Sequence, residues 1–134
     1  MDMKIHFPHN LRVDAEYKGF TIETDQPVLS GGDNSAPAPF DLFLVSIGTC
    51  AGIFMLSFMK QRGIDPHGSG ITVRTERNEG GMVGRIEIIL HLPDGFPEKY
   101  EAAVVRAVDQ CSVKRHLFAP PAFNVITERQ IDSS

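Results

Sequence analysis

The chain has 134 residues, of which 42% are hydrophobic and 22% charged, a composition that is typical of globular proteins and excludes a disordered chain. This length suits one hydrophobic core, so we expect a single domain over residues 1–134. The net charge of −4 and the lack of a basic cluster exclude an electrostatic basis for nucleic-acid binding.

The first third of the chain predicts a β-hairpin followed by an irregular loop. Apolar and charged residues alternate from Leu11 to Glu16, which is the periodicity of a strand. Lys18-Gly19 predicts a turn, and residues 20–24 predict the returning strand. Residues 25–39 are rich in proline and glycine and are expected to be ordered without being regular.

A long apolar helix is predicted from Pro39 to about Arg62, ending at Gly63. Proline suits the first helical position, and Asp41 lies in the first turn, where the helix dipole favours an acid. The 18 residues from Leu42 to Met59 carry no charge, which is near the lower limit for a membrane-spanning helix. Serine, threonine and glycine dilute the run, so we expect no membrane association and place this helix in a core or a dimer interface.

The second half predicts two strands, two helices and a last strand. The strands are expected at 70–77 and 83–92, joined by a turn at 78–81. A helix is predicted at 97–110 and a shorter one at 111–118, and residues 123–129 are expected to form the last strand. This order predicts an α+β protein with helices packed on an antiparallel sheet.

The chain contains two cysteines, Cys50 and Cys111. The first residues do not resemble a secretory signal, so we expect a cytoplasmic protein with reduced thiols. Paired thiols in such a compartment are often catalytic or redox-sensing. From the residues alone, two interpretations stay open: a two-thiol redox pair, or two small buried hydrophobic residues.

Cys50 is predicted about three turns into its helix, where the N-terminal dipole has faded. We therefore expect any activation of this thiol to come from a side chain elsewhere in the protein. Cys111 precedes Lys114, Arg115 and His116, and Arg115 lies one helical turn further along on the same face.

Other chemistries lack support in the sequence. The five histidines show no metal-binding spacing, and Gly31-Gly32 is not followed by a phosphate-binding pattern. No signature of a serine–histidine–acid triad is present. Gly48 and Gly52, which flank Cys50, predict close packing against another helix.

Taken together, several segments resemble the OsmC/Ohr family over roughly residues 10–130. The segments that carry the resemblance are Asp25-Gln-Pro, Gly31-Gly-Asp, Ala36-Pro-Ala-Pro-Phe-Asp-Leu-Phe-Leu, Gly48-Thr-Cys-Ala-Gly and Cys111-Ser-Val-Lys. The resemblance implies an OsmC-like α+β fold with antiparallel sheets and a long central helix buried in an intertwined homodimer.

The resemblance also implies an activity and its residues. It implies a stress-response peroxidase that reduces organic hydroperoxides, with Cys50 as the peroxidatic cysteine and Cys111 as the resolving cysteine. A dithiol reductant is implied as co-substrate, with no bound cofactor and no metal.

One departure concerns the activating group. The peroxidase branches have a glutamate after the proline of a Pro-Glu-x-Leu stretch, where it orients an arginine. Here Phe40 takes that position and Asp41 follows, while Arg12 is the N-terminal candidate for the arginine and Arg115 a second. Three alternatives therefore stay open: a non-catalytic OsmC-like dimer that binds an apolar small molecule, a structural or stress-associated dimer whose cysteines do not react, and a thiol redox sensor.

Overall fold

A computed structural model describes residues 1–129 of the chain. The predicted α+β class is confirmed: the chain combines antiparallel strands with a long central helix and two shorter helices. In chain order the elements are β1 (Lys4–His6), β2 (Val13–Tyr17), β3 (Phe20–Thr24), α1 (Pro39–Gln61), β4 (Gly70–Arg77), β5 (Val83–His91), α2 (Glu101–Val108) and α3 (Ser112–Phe118). Short 3-10 turns at Val28–Ser30 and Glu98–Tyr100 precede α1 and α2.

The N-terminal sheet has the strand order β1-β2-β3, with antiparallel neighbours. Its hairpin turns at Lys18-Gly19, where both residues have positive φ (47° and 81°), the backbone that two-residue hairpin turns require. β1 was not predicted, because it is only three residues long and all of them are exposed.

The loop between β3 and α1 is organised by the buried carboxylate of Asp25. It accepts hydrogen bonds from the backbone N–H of Gln26 (2.7 Å) and Ser35 (2.9 Å) and from the Ser35 hydroxyl (2.5 Å). Hydrogen bonding from Ser35 is the largest influence on this group and lowers the pKa of Asp25 to about 2. The loop was predicted to be ordered without being regular. The buried carboxylate of Asp25, at its start, fixes it by binding Gln26 next to it and Ser35 near its end.

The core lies where α1 and α2 pack on the sheet formed by β4 and β5. Four buried residues recur on one face of α1: Ala51, Met55, Phe58 and Met59. Val104 and Val108 of α2 complete the buried cluster, and the strands cover it with partly buried isoleucine and leucine. Because this spacing follows one helical face, α1 is buried on one side while Val45 and Ile53 stay more than half exposed on the other.

The two glycines of α1 face a strand, which corrects the prediction of helix–helix packing. A Cβ atom on Gly48 would lie 2.7 Å from Cγ2 of Val73, and one on Gly52 would lie 4.0 Å from Cδ1 of Ile71. Both neighbours belong to β4. Gly48 therefore permits a close approach of α1 to β4, two residues before Cys50.

The prediction of a last strand at 123–129 is wrong for the described chain, in which these residues form no regular structure. Phe123, Val125 and Ile126 are 88%, 94% and 74% exposed. These residues are of types that favour strands, but a strand also needs a neighbouring strand with free backbone N–H and C=O groups. Within the described chain, no strand lies beside this segment.

The length and composition of α1 also satisfy the criteria for a membrane span. Its most apolar 18 residues have a mean hydropathy of 2.1, and 28% of them are buried. This is weak support for a span, because the core helix of a globular protein meets the same criteria.

Candidate thiol site

The fold brings together two cysteines that are 61 residues apart in the sequence. Cys50 lies in the middle of α1, and Cys111 lies at the junction between α2 and α3. Both thiols are free, and they lie close enough for each to shift the pKa of the other. The extended backbone of Cys111 (ψ 127°) turns the chain between the two helices, so that the first amides of α3 face α1.

The surroundings of Cys50 favour its thiolate. Burial is the largest influence and opposes ionisation, but the Cys111 thiol and the backbone N–H groups of Val113 and Ser112 donate hydrogen bonds to this sulfur. Together these donors outweigh the burial, so that the pKa of Cys50 is lowered from the ordinary thiol value of 9.0.

Cys111 has the opposite character. Burial raises its pKa, and hydrogen bonding to Cys50 raises it further, since the thiol must keep its proton to donate it. Cys111 is 1% exposed, whereas Cys50 is partly accessible. The pair therefore consists of a partly accessible thiol whose pKa is lowered and a buried thiol whose pKa is raised.

The expected activation by a side chain elsewhere corresponds to the Cys111 thiol, and the backbone amides of Val113 and Ser112, which were not anticipated, add to its lowering of the Cys50 pKa. The position of Cys50 within α1 was predicted well, and the dipole of α1 does not act there. The amides come from a different, short helix. The predicted helix at 111–118 was the available signal, but its distance from Cys50 could not be read from the sequence.

The basic residues after Cys111 have local partners. Lys114 forms an ion pair with Asp109 (Nζ to Oδ1, 2.7 Å) across the turn that contains Cys111. The ring of His116 hydrogen-bonds to the carbonyl of Ser112 (2.6 Å), and Arg115 is exposed.

Arg12 lies in the loop before β2, in a cluster of acidic side chains. Its guanidinium donates to both carboxylate oxygens of Asp14 (3.2 and 3.0 Å) and forms an ion pair with Glu23 (3.3 Å). Hydrogen bonding to Asp14 raises the pKa of Arg12. A long contact with the Ser35 hydroxyl (3.5 Å) joins this cluster to the loop around Asp25. Within residues 1–129 of one chain, the polar contacts of Arg12 involve these residues and neither thiol.

Asp41 lies on a different face of α1 from the thiol. It is exposed, and it lines a cavity between α1 and β4 together with Thr49 and Thr75. Nine residues separate it from Cys50, which corresponds to about 14 Å along a helix. Phe40, which stands where the resemblance led us to expect an acid, packs against Phe43 (5.6 Å between ring centroids).

An open groove of about 610 Å³ between α1 and α2 was not predicted. Phe54 and Gln110 line it at the end near the thiols, one turn after Cys50 and next to Cys111. Arg62 and Arg106 are also among its lining residues. Sequence reasoning missed this groove because its two walls come from helices that are 40 residues apart.

Among residues 1–129, no group of three or more histidine, cysteine or acidic side chains is arranged to hold a metal ion. The chemistry that the described arrangement offers is that of a thiolate beside a thiol.

Comparison with solved structures supports the same fold. A protein from Psychrobacter arcticus 273-4, assigned provisionally to the osmotic stress and detoxification response, is 22% identical with a TM-score of 0.72; the match covers 84% of this chain and 85% of that one. An OsmC-like protein from Mycoplasma pneumoniae is 13% identical with a TM-score of 0.70, over 89% and 87% of the two chains. An organic hydroperoxide resistance protein from Elizabethkingia anophelis is 19% identical with a TM-score of 0.59, over 88% and 87%.

No curated protein matches the chain. The family model described as OsmC-like protein matches residues 32–125, a range that includes both cysteines and more than half of the chain. On this match, the chain belongs to the OsmC-like protein family.

Proposed function

We propose that this protein is a thiol-dependent peroxidase that reduces organic hydroperoxides through Cys50 and Cys111. The observation that carries the proposal is the juxtaposition of the two free thiols where α3 packs on α1, with the pKa of Cys50 lowered and that of Cys111 raised. A peroxidatic cysteine must be both ionised and reachable, and Cys50 is the partly accessible member of the pair.

The proposed reaction has three steps that balance. The Cys50 thiolate attacks the O–O bond of the hydroperoxide, and with one proton this produces the alcohol and a sulfenic acid on Cys50. The Cys111 thiol then attacks that sulfur, which forms a disulfide and releases water. A dithiol reductant transfers two electrons and two protons to the disulfide and restores both thiols, so no bound cofactor is needed.

Family membership supports a stress-related peroxidase role at the level of the family. The similar protein from Elizabethkingia anophelis is named for organic hydroperoxide resistance, and so is one from Legionella pneumophila. We extend this role to the present chain because residues 32–125, which match the family, contain both thiols and the helices that position them.

A homodimer is part of the proposal, and the exposed surface supports it. The single chain has 10450 Å² of accessible surface, whereas a compact monomer of 14.8 kDa exposes about 7000 Å². The excess is enough for an extensive obligate interface. It includes the apolar residues Phe123, Val125 and Ile126, and the exposed face of α1. In this proposal, Arg12 of one subunit stabilises the Cys50 thiolate of the other subunit across the dimer interface. Asp41 is proposed to contribute to the site across the same interface.

The test is a stoichiometric oxidation with cumene hydroperoxide, followed by counting of free thiols and intact-mass analysis. We expect both thiols to be lost, together with a mass decrease equal to two hydrogen atoms. Cys111→Ser should stop at the sulfenic acid, and Cys50→Ser should not react. Unreacted thiols in the wild-type dimer after prolonged exposure would refute the proposal.

Turnover with a dithiol separates the peroxidase from a redox sensor. Both use the same residues, but the enzyme passes through many cycles when dihydrolipoamide or dithiothreitol is supplied. A single oxidation without further turnover would favour the sensor.

A further inference from the structure

We propose that the ion pair between Asp109 and Lys114 holds the first turn of α3 beside Cys50, which makes both residues positioning residues for this thiol. Nζ of Lys114 lies 2.7 Å from Oδ1 of Asp109. Asp109 directly follows α2 and Lys114 lies in the first turn of α3, so the pair spans the junction that contains Cys111. Neither side chain has to touch the substrate for this role.

The backbone connects α2 and α3 through Cys111. Its N–H donates to the carbonyl of Val108 (3.2 Å), at the end of α2, and its carbonyl accepts from the N–H of Arg115 (3.0 Å), in α3. Because both hydrogen bonds meet at Cys111, rotation about the backbone of this one residue would move α3 relative to α2 without breaking either of them. The ion pair is a second connection between the two sides of the junction, and it restrains that rotation.

Other packing holds α3 weakly. The helix has seven residues, and within the described chain none of them is fully buried. Leu117 and Phe118, its last two residues, are 52% and 81% exposed. A helix of this length is marginal in water without tertiary contacts. An exposed ion pair shifts a local equilibrium by up to about fivefold, which is a sizeable effect for an element with so little buried surface.

The position of α3 matters because its first amides face the thiol of Cys50. The N–H groups of Ser112 and Val113 lower the pKa of Cys50 together with the Cys111 thiol, and hydrogen bonds of this kind weaken steeply when their distance or angle changes. Within residues 1–129 of one chain, charged and titratable side chains of the elements packed on α1 are not among the influences on this pKa: Arg74 of β4, Arg106 and Asp109 at α2, and Lys114, Arg115 and His116 of α3. The pair therefore acts on Cys50 through the position of the amides, and its own charges have no direct part.

The test is the pH dependence of Cys50 alkylation by iodoacetamide in the full chain, with peptide mass spectrometry to assign the alkylated sulfur. Asp109→Asn and Lys114→Gln each break the pair. We expect both variants to raise the midpoint of the profile, by up to about 0.7 pH units, which corresponds to the fivefold limit. Charges that acted directly on the thiolate would instead move the two midpoints in opposite directions, down for Asp109→Asn and up for Lys114→Gln.

Two controls separate positioning from a general loss of structure. The double variant Asp109→Lys with Lys114→Asp rebuilds the pair in reverse, in an orientation that suits the dipoles of both helices, and should bring the midpoint back toward wild type. Glu87→Gln breaks the Arg85–Glu87 pair on β5 (3.6 Å) and should leave the midpoint unchanged. Unchanged midpoints in both single variants, midpoints that move in opposite directions, or a double variant as high as the single ones would overturn the proposal.

The catalytic meaning of this inference rests on the proposed peroxidase function, but the two fail separately. The thiolate is the attacking species, so below the midpoint the oxidation of Cys50 by cumene hydroperoxide should slow by up to about fivefold in both single variants. If wild type is oxidised and the alkylation midpoints do not move, the positioning role is wrong and the peroxidase proposal stands. If the midpoints rise while the hydroperoxide leaves the thiols unreacted, the peroxidase proposal is wrong and the pair positions α3 for a thiol with another role.

Discussion

The replacement of Gly48 by alanine tests how closely α1 packs on β4 beside the thiol. A Cβ at this position would lie 2.7 Å from Cγ2 of Val73, well inside van der Waals contact. Val73 is β-branched and lies in a strand, so its side chain has little freedom to move away. We expect the helix to shift from the sheet at this point.

Two opposing terms set the size of the effect. Alanine is favoured over glycine in a helix interior by about 1 kcal/mol, while overpacking a tight contact costs about 1–3 kcal/mol. Gly48→Ala should therefore lower the free energy of unfolding by about 0–2 kcal/mol. Gly52→Ala is the matched control one turn later: its Cβ would meet Ile71 at 4.0 Å, an ordinary contact, so this variant should gain up to about 1 kcal/mol.

Urea unfolding of both variants, at equal protein concentration, measures the difference. Equal concentrations matter because the stability of a dimer depends on concentration. A Gly48→Ala protein as stable as Gly52→Ala would refute the close contact between α1 and β4. A shift of α1 at Gly48 should also move Cys50, two residues further on, away from the groups that lower its pKa. The rate of Cys50 alkylation by iodoacetamide should therefore fall in Gly48→Ala and not in Gly52→Ala.

Three further predictions concern activation, pH and assembly. Ser112→Pro removes one of the N–H groups that lower the pKa of Cys50. Proline is tolerated there, because Ser112 is the first residue of α3 and the backbone of Cys111 before it is already extended. The pH profile of Cys50 alkylation by iodoacetamide should move to higher pH in Ser112→Pro and stay in place in Ser112→Ala, which keeps the N–H. The pKa of Asp25 is about 2 in the folded protein, below its unfolded value of 3.8. The ionised Asp25 therefore stabilises the folded state fully above pH 3.8, and this contribution is lost as the pH falls toward 2. The difference in free energy of unfolding between wild type and Asp25→Asn, measured in urea, should narrow as the pH is lowered over that interval. Light scattering should report about twice 14.8 kDa, and Val125→Asp together with Ile126→Asp should shift the mass toward the monomer.

The secondary structure was largely predictable because its signals are local. The helix at Pro39–Gln61 followed from a proline at its start, a long run of uncharged, mostly apolar residues and a glycine after its end. The strand at Gly70–Arg77 followed from its residue types and from the glycine-rich turn that ends it. β1 escaped prediction because three exposed residues carry too little pattern, and its strand character comes from pairing with β2.

The prediction at 123–129 failed for the opposite reason. Its residues have the composition of a strand, but β-structure depends on a partner strand as well as on composition. The glycines of α1 are a second case in which the sequence did not identify the partner. Small residues on one helix face indicated a close neighbour, but only the fold decided that this neighbour is β4.

The sequence by itself determined the three helices, the strands from β2 to β5, the two thiols and the family, because these depend on local periodicity and on residue identity. Only the tertiary structure decided which of the two thiols has its pKa lowered. That choice depends on the Cys111 thiol and on the amides of Ser112 and Val113, which come within hydrogen-bonding reach of Cys50 once α3 packs beside α1. Hydrogen bonds act over a few ångströms, so groups about 60 residues apart can change a pKa only after folding has brought them together.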